Sequence, residues 1–203
     1  MPPSENKTTG FSHPRLEARH LLVNYDEIAL KGGNRRHFES RLLKNIRAAI
    51  KDLGGSHLQP RFGRFLLRLS SETPLDKVCE RLSRIPGIAV YSPCISTSAD
   101  LDSVRDAMDS IIDQLLARGE QPESFAVVSR RANKELPFTS TDANATIGAH
   151  VQERTGWKVR LKKPQLSLYL FFVNNDCFLA LDRLPGLGGL PTGSTGRVAC
   201  LLS

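Results

Sequence analysis

The sequence contains few of the features that mark metal-binding, secreted or membrane-spanning proteins. Its four cysteines, at positions 79, 94, 177 and 200, form no CxxC pair, and its five histidines do not complete a zinc-binding pattern. The longest apolar run covers residues 166–173, which is far too short to cross a bilayer. The polar N-terminus also lacks the apolar segment of a secretory signal. We therefore expect a cytoplasmic protein with no membrane partner, no metal site and thiols that are reduced and buried.

Patterns that would indicate catalysis are missing as well. The neighbouring carboxylates Asp26 and Glu27 would point to opposite faces of an extended strand. There is no Walker-type Gly-Lys-Ser loop, and the Gly-rich residues 186–196 lack the preceding strand and following helix of a phosphate-binding loop. The sequence thus predicts no catalytic residue and no bound cofactor within these 203 residues.

Positive charge is abundant and unevenly distributed, within a formal net charge of +7. Residues 11–70 contain 12 Lys and Arg against 5 Asp and Glu, residues 71–123 contain 5 against 10, and residues 124–203 contain 10 against 5. Two basic blocks flanking an acidic one favour a polyanionic partner that contacts the outer blocks. A solvated basic surface without a ligand would explain either block alone.

Periodicity over residues 18–95 predicts one small domain behind a loose tail, residues 1–17. A short strand at 19–25 is followed by Gly32 and Gly33, and then by a helix whose apolar positions recur every three or four residues up to Leu53. Strands are predicted at 57–59, 64–69 and 87–95, with a second helix at 74–83. The order β-α-β-β-α-β is that of a ferredoxin-like domain.

Residues 96–184 predict a second domain, of mixed α/β type, so that the whole chain belongs to the α+β class. A polar link at 96–100 precedes an amphipathic helix with an acidic outer face. The predicted elements after the link are helices at 101–115 and 140–154, strands at 124–129, 166–173 and 176–182, and a hairpin turn at Asn174 and Asn175.

The composition of residues 185–203 predicts a linker and then a strand. Five glycines and two prolines lie between positions 184 and 196, and an apolar strand begins at Arg197. We expect a chain truncated within a further domain. The alternative is a C-terminal strand that joins an existing sheet.

Basic residues of the first block are placed for phosphate binding at the start of the first helix. Exposed N–H groups and the helix dipole favour an anion there. Farther along, Ser40, Lys44, Arg47 and Lys51 continue a polar stripe from Arg36, although such a stripe is equally well the solvated side of an amphipathic helix. The predicted RNA-binding residues at the helix start are Lys31, Asn34, Arg35 and Arg36.

The third block contains a denser cluster ahead of the helix at 140. Cations there can neutralise phosphates, and Phe138 has two interpretations: stacking on an unpaired base or anchoring the loop in the core. The RNA-binding residues predicted in this cluster are Arg130, Arg131, Lys134, Phe138, Thr139 and Ser140. Residues 158–163 alternate basic and apolar side chains, so a strand would present Lys158, Arg160 and Lys162 on one face, with Lys163 beside them. We expect these residues and the Arg130 loop to form one basic groove, the alternative being a solvated edge strand.

Three ordered motifs resemble those of the ThiI family, the tRNA 4-thiouridine synthetases. The stretch Tyr25-Asp-Glu-Ile-Ala-Leu-Lys31-Gly-Gly-Asn34-Arg35 follows the form Y-x-E-I-x-L-K-G-x-N-R. The run Ser129-Arg-Arg followed by Pro137-Phe-Thr-Ser140 resembles the THUMP segment of the same family. Residues 187–193 and 198–203 resemble the approach to its nucleotide-binding PP-loop, whose S-G-G-x-D-S motif would begin at Ser203.

The resemblance implies a ferredoxin-like domain and a THUMP domain that hold the acceptor end of tRNA, followed by a PP-loop domain that this chain lacks. In the full-length protein it implies ATP and Mg²⁺ for activation of uridine 8, with Leu201 and Leu202 on the strand that borders ATP. It also implies a cysteine desulfurase as sulfur donor, a possible role in thiamine biosynthesis and possible pairing as a homodimer. Two other functions stay open: a stand-alone THUMP-type RNA-binding adaptor, and another THUMP RNA-modifying enzyme.

Overall fold

The computed structural model describes residues 16–25, 35–61, 63–132 and 135–194. Within these residues the helices are α1 Arg35–Ile50, α2 Leu75–Ser83, α3 Leu101–Ala117 and α4 Ser140–Thr155. The strands are β1 His20–Asn24, β2 Ser56–Arg61, β3 Arg64–Leu69, β4 Val90–Ser98, β5 Ser124–Arg131, β6 Lys158–Val159, β7 Leu166–Val173, β8 Asp176–Ala180 and β9 Leu184–Pro185. The first six elements have the predicted ferredoxin-like order, and the α+β class is confirmed.

All nine of these strands form one sheet, and β4 joins its two halves. The strand order is β2-β3-β1-β4-β8-β7-β5-β6, with β9 pairing the beginning of β4 beyond the end of β8. On one side β4 pairs with β1 (His20 opposite Cys94), and on the other it pairs with β8 (Cys94 opposite Ala180). The predicted polar link at 96–100 is therefore wrong in part, because β4 continues through Ser98 to hold β8.

Pro93 lies inside β4, which is an interior strand, although proline cannot donate a ladder hydrogen bond. The neighbouring strand is interrupted at this point. Cys94 pairs with Ala180 at the end of β8, and Tyr91 pairs with Leu184 in β9. The proline thus lies opposite the break between two strands, where a missing donor is tolerated.

The four helices pack on the same face of the sheet over two apolar cores. Strand alternation places Tyr91 in the core beneath α1 and α2, and Ile95 against the core beneath α3 and α4. Cys94, between them, points to the opposite face, which we call the open face because no described helix packs on it. The open face has a smaller apolar centre consisting of Leu22, Leu66, Cys94, Phe171, Val173, Phe178 and Ala180.

The cysteines behave as small apolar residues, as predicted for this part of the chain. Cys79, Cys94 and Cys177 are free and buried, and burial raises the pKa of all three thiols, that of Cys79 to about 12. Cys200 lies outside the described residues. Among the described residues no set of three or more His, Cys, Asp or Glu side chains is grouped as a metal site would require, and no helix is long and apolar enough to cross a membrane.

Local signals placed α4 and the following hairpin correctly. Thr139 caps α4 in a reciprocal capping box with Asp142, and Gly156 ends the helix with φ of 72°. Asn174 adopts a left-handed φ of 54° in the turn that joins β7 to β8.

The acidic face of α3 is only partly the solvent-facing surface that its sequence predicts. Asp109 contacts both His150 (2.7 Å) and Arg154 of α4, and Asp113 accepts a hydrogen bond from Arg154 at 2.6 Å. Hydrogen bonds from Arg154 and His150 outweigh the burial that would raise the pKa of Asp109, so this pKa is lowered. Part of the acidic block therefore neutralises the cations of the next helix.

The predicted linker is a folded segment over residues 184–194. Its strand β9 pairs with β4, and beyond it the Gly87 N–H donates to the carbonyl of Gly188 at 2.7 Å. Arg41 and Asn45 of α1 then donate to the carbonyls of Gly193 (2.8 Å) and Thr192 (3.1 Å). Gly186 allows close contact, since a Cβ there would lie 2.2 Å from the carbonyl oxygen of Ile88. Gly188 and Gly189 instead adopt φ of 67° and 70°, which other residues rarely adopt. Glycine content here thus reflects close packing at one position and backbone conformation at two others.

Candidate nucleic-acid interface

The two ends of the Tyr25–Arg35 motif are held together by Glu39. The Tyr25 hydroxyl and Arg35 Nε (2.8 Å) both donate to Glu39 Oε1, and Arg35 Nη2 lies 3.3 Å from the Tyr25 hydroxyl. Burial and the hydrogen bond to Glu39 raise the pKa of Tyr25 to about 12. Lys31 and Asn34 lie outside the described residues. Arg35, predicted as a phosphate ligand, is thus engaged in hydrogen bonds that hold the start of α1 to the end of β1.

The polar stripe along α1 is exposed as predicted, but not all its cations are free of protein contacts. Arg36, Lys44 and Lys51 are exposed. Arg47 donates to the carbonyl of Leu58 at 3.1 Å. At the helix start, therefore, Arg35 is paired with Glu39, whereas the Arg36 guanidinium makes no hydrogen bond or ion pair with the other described residues.

Arg130 and Arg131, predicted to act together in an irregular loop, lie on opposite faces of the sheet. The reason is that β5 continues two residues beyond its predicted end, and adjacent side chains in a strand alternate. Arg130 is exposed on the open face, directly opposite Phe171 of β7. Arg131 points to the helix side, where it donates to the carbonyls of Phe138 and, at 3.5 Å, Leu136.

Phe138 packs against the core as an anchor for this loop. Its ring meets Phe172 edge to face, with 5.2 Å between ring centroids, and it is only partly buried. Together with the hydrogen bond from Arg131, this contact fixes the chain that leads into α4. The core-anchor interpretation of Phe138 thus has direct geometric support, whereas Lys134 lies outside the described residues.

The beginning of α4 already contains a negative charge. The Asp142 carboxylate accepts from the Thr139 N–H and hydroxyl, both at 2.8 Å, while the Thr139 hydroxyl accepts from the Asp142 N–H. These hydrogen bonds from Thr139, with a smaller effect from Arg131, lower the pKa of Asp142. Thr139 is therefore committed to capping, and a phosphate near Ser140 would have to approach this carboxylate.

Residues 158–163 do not form one groove with Arg130, contrary to the sequence-based expectation. Only Lys158 and Val159 are in a strand, and β6 pairs in parallel with the first two residues of β5. Arg130 lies six residues farther along β5, about 20 Å away at the rise of a strand. The side chains of Arg160, Lys162 and Lys163 are exposed, and Lys158 and Arg160 line an open pocket of about 700 Å³ beside Trp157.

Three residues on the open face were missed by sequence reasoning: Arg64, Tyr169 and Arg183. The guanidinium carbon of Arg64 lies 5.4 Å from the centroid of Phe171, and that of Arg183 lies 5.8 Å from the centroid of Tyr169. The Tyr169 and Phe171 rings are stacked, with 6.2 Å between centroids. Strand alternation in β3 and β7 was the available signal for Arg64 and Tyr169. Leu201 and Leu202 lie outside the described residues.

Comparison with known domains places two domains along the chain. The sequence model described as the ThiI ferredoxin-like domain matches residues 20–92, and the model of the THUMP domain matches residues 98–182. This succession, on one sheet joined by β4, is the one that the three motifs implied. The chain belongs to the ThiI family.

Curated relatives of this ThiI-family chain are named probable tRNA sulfurtransferases. The protein from Natranaerobius thermophilus is 36% identical over 194 residues, which cover 91% of this chain and 46% of the relative. The protein from Nocardia farcinica is 36% identical over 188 residues, covering 90% of this chain and 44% of the relative. The chain thus spans less than half the length of these relatives.

Solved structures share the fold of this ThiI-family chain. A 4-thiouridine synthetase in complex with RNA and bound ATP has a TM-score of 0.74 and 28% identity, over 88% of this chain and 44% of that one. The protein PH1313 from Pyrococcus horikoshii has a TM-score of 0.76 and 24% identity, over 86% of this chain and 58% of that one. The second likeness establishes the fold alone.

Proposed function

We propose that this chain is the tRNA-binding part of a tRNA uridine-8 4-sulfurtransferase. The observation that carries the proposal is the ThiI ferredoxin-like domain joined through β4 to a THUMP domain. The related 4-thiouridine synthetase that was solved with RNA supports an RNA partner for the same pair of domains. Exposed cations at Arg36, Arg130 and residues 158–163 supply the positive charge that a phosphate backbone requires.

In this proposal the chain binds and orients tRNA, while sulfur transfer belongs to the rest of a full-length protein. ATP and Mg²⁺ would activate the uridine there, with Leu201 and Leu202 near the nucleotide. A cysteine desulfurase would supply the sulfur, and the proposed compartment is the cytoplasm. A role in thiamine biosynthesis and pairing as a homodimer belong to the same proposal. The DNA sequence beyond codon 203 tests the assignment to the sulfurtransferase, because it should encode Gly-Gly-x-Asp-Ser after Ser203.

Binding to the acceptor end is tested by comparing intact tRNA with tRNA whose single-stranded 3′ nucleotides have been removed. Fluorescence anisotropy at fixed salt should show weaker binding of the trimmed tRNA, since base stacking and phosphate contacts at that end are lost. Equal affinities would contradict recognition of the 3′ end. No binding of either RNA would contradict the proposed function itself.

A further inference from the structure

The open face is concave. In the sheet order, β1, β4 and β8 separate β3 from β7, so these two strands would lie about 19 Å apart in a flat sheet. Nevertheless the guanidinium carbon of Arg64 on β3 reaches to 5.4 Å from the ring of Phe171 on β7. The accumulated twist of the strands must therefore curl the sheet over this face. The curl is consistent with the burial of Leu22, Cys94 and Phe178 at its centre.

Three guanidinium groups converge at the rim of this concavity. Arg64 and Arg183 lie at the two ends of a stack in which Phe171 and Tyr169 are the middle members. Arg130 projects from β5 opposite Phe171. Each arginine comes from a different part of the chain, so this cluster is a product of the tertiary fold.

Within the part of the chain that the structure describes, no carboxylate balances the positive charge of this cluster. Over residues 16–25, 35–61, 63–132 and 135–194, no carboxylate forms an ion pair with any of the three arginines. The pKa of Arg64 is lowered by burial and then by repulsion from Arg130 and Arg183. Arg154, by contrast, contacts two aspartates on the helix side.

We propose that Arg64, Arg130 and Arg183 form a cradle for the phosphodiester backbone of RNA on the concave open face. Each guanidinium can donate hydrogen bonds to a phosphate of the same backbone, and the negative charge of the phosphates offsets the repulsion among the three arginines. The contacts with Phe171 and Tyr169 restrain the side chains of Arg64 and Arg183, which reduces the entropy lost on binding. Because the occupant is RNA, this inference rests on the proposed function and assigns to it a surface separate from α1 and from residues 158–163.

The test compares two double variants that remove the same charge. Arg130→Gln with Arg183→Gln removes two of the three guanidinium groups of the cradle, and both side chains are exposed. Lys77→Gln with Arg84→Gln is the matched control, because both residues are exposed on the helix side, Lys77 on α2 and Arg84 at its C-terminal cap. Binding of tRNA to the whole chain is measured by anisotropy over a series of salt concentrations.

We expect the cradle variant to bind about tenfold more weakly at low salt per lost phosphate contact. The slope of log affinity against log salt should also become shallower by about 0.7 to 0.9 per contact. The control variant should show neither change. Arg130→Lys with Arg183→Lys should keep the slope, since the charges remain. In the absence of RNA, the melting temperature of the Gln cradle variant should equal or exceed that of the wild type, because repulsion is relieved.

Other outcomes separate this inference from the proposed function. Equal weakening of both Gln variants would overturn the cradle in favour of a general effect of net charge. Unchanged binding of the cradle variant, with a wild type that binds tRNA, would overturn the cradle and leave the proposed function standing. Failure of the wild type to bind tRNA would contradict both the cradle and the proposed function. If the double variant does not fold, the single variants Arg130→Gln and Arg183→Gln give the same decision.

Discussion

Individual side chains in this protein often hold the chain in place where the sequence indicates ligand binding. Glu39 accepts hydrogen bonds from Tyr25 and Arg35 and so joins the end of β1 to the start of α1. Arg131 holds the carbonyls of Leu136 and Phe138. Both arrangements fix segments that border a predicted RNA contact, so their removal should change binding mainly through the stability and position of those segments.

Tyr25 gives the protein a pH dependence in the alkaline range. Its pKa is about 12 in the folded protein, against an ordinary value near 10 in the unfolded chain. The stability that its neutral form contributes is thus complete below about pH 10 and is lost as the pH rises through the folded pKa.

The Tyr25→Phe variant should therefore lose free energy of unfolding less steeply than the wild type between pH 10 and pH 12. Urea unfolding at a series of pH values measures this. Cys79 and Tyr91, whose pKa values are also raised to about 12, are present in both proteins and cancel in the difference. Parallel pH curves for the two proteins would contradict the assignment.

Arg131→Ala should destabilise the fold by about 2 kcal/mol, because it leaves loop carbonyls without their charged donor. Arg130→Ala, an exposed residue one position earlier, should stay within about 0.5 kcal/mol of the wild type. Urea midpoints measure both changes. A larger loss from Arg130 than from Arg131 would show that the two faces of β5 have been exchanged.

For individual residues, the sequence predicts local roles such as helix capping better than it predicts the face of the sheet to which a side chain points. The cap at Thr139 follows from local spacing alone and is found as predicted. The pairing of Arg130 with Arg131 in one site fails because the strand is two residues longer than its apolar pattern. No local sequence pattern predicts the position of Arg183. Continued strand alternation would place it on the helix side with Leu181, but β8 ends before it. Its guanidinium instead contacts the ring of Tyr169 on the open face.

At the scale of elements, acidic side chains of α3 form ion pairs with α4 and so hold the two helices together. Asp109 contacts His150 and Arg154 across the two helices, and its pKa is lowered below the ordinary value. The stability that Asp109 contributes is present above the unfolded pKa, about 3.9, and is lost as the pH falls through the folded pKa.

Asp109→Asn should consequently destabilise the protein at pH 7 by up to about 1 kcal/mol, the upper range for a partly exposed pair. The difference from the wild type should shrink as the pH falls towards 3. Asp106→Asn, an exposed carboxylate on the same helix, is the control and should have a smaller effect. A difference that stays constant from pH 7 to pH 3 would exclude the charge of Asp109 as its cause.

Helices and strands were predictable here because their apolar periods are regular, whereas short or glycine-rich segments were not. Residues 158–163 alternate like a strand, yet β6 ends after Val159 and Lys163 has a left-handed φ of 51° before Pro164. Residues 184–194 have a linker composition, yet backbone hydrogen bonds with β4 and Gly87 hold them in place. Both outcomes depend on tertiary partners that local composition does not contain.

For the whole molecule, the shared strand β4 makes the two halves mechanically one sheet. Both β1 and β8 form backbone hydrogen bonds with β4, so each would lose one paired strand if β4 were removed. Apolar contacts on the open face also cross the boundary, since Leu22 and Leu66 belong to the same cluster as Phe171 and Phe178.

Urea should therefore unfold the chain in one transition. Trp157, the single tryptophan, reports on the second half, while far-UV circular dichroism reports on all elements. The two probes should give the same midpoint. Separate midpoints would show that β4 does not couple the halves.

We propose above all that this chain binds tRNA through its phosphates, and the salt dependence of wild-type binding tests this claim most directly. Affinity for tRNA should fall linearly on a plot of log affinity against log salt, with a slope that corresponds to several phosphate contacts. An affinity at low salt no greater than that of a neutral protein of equal size would contradict the claim.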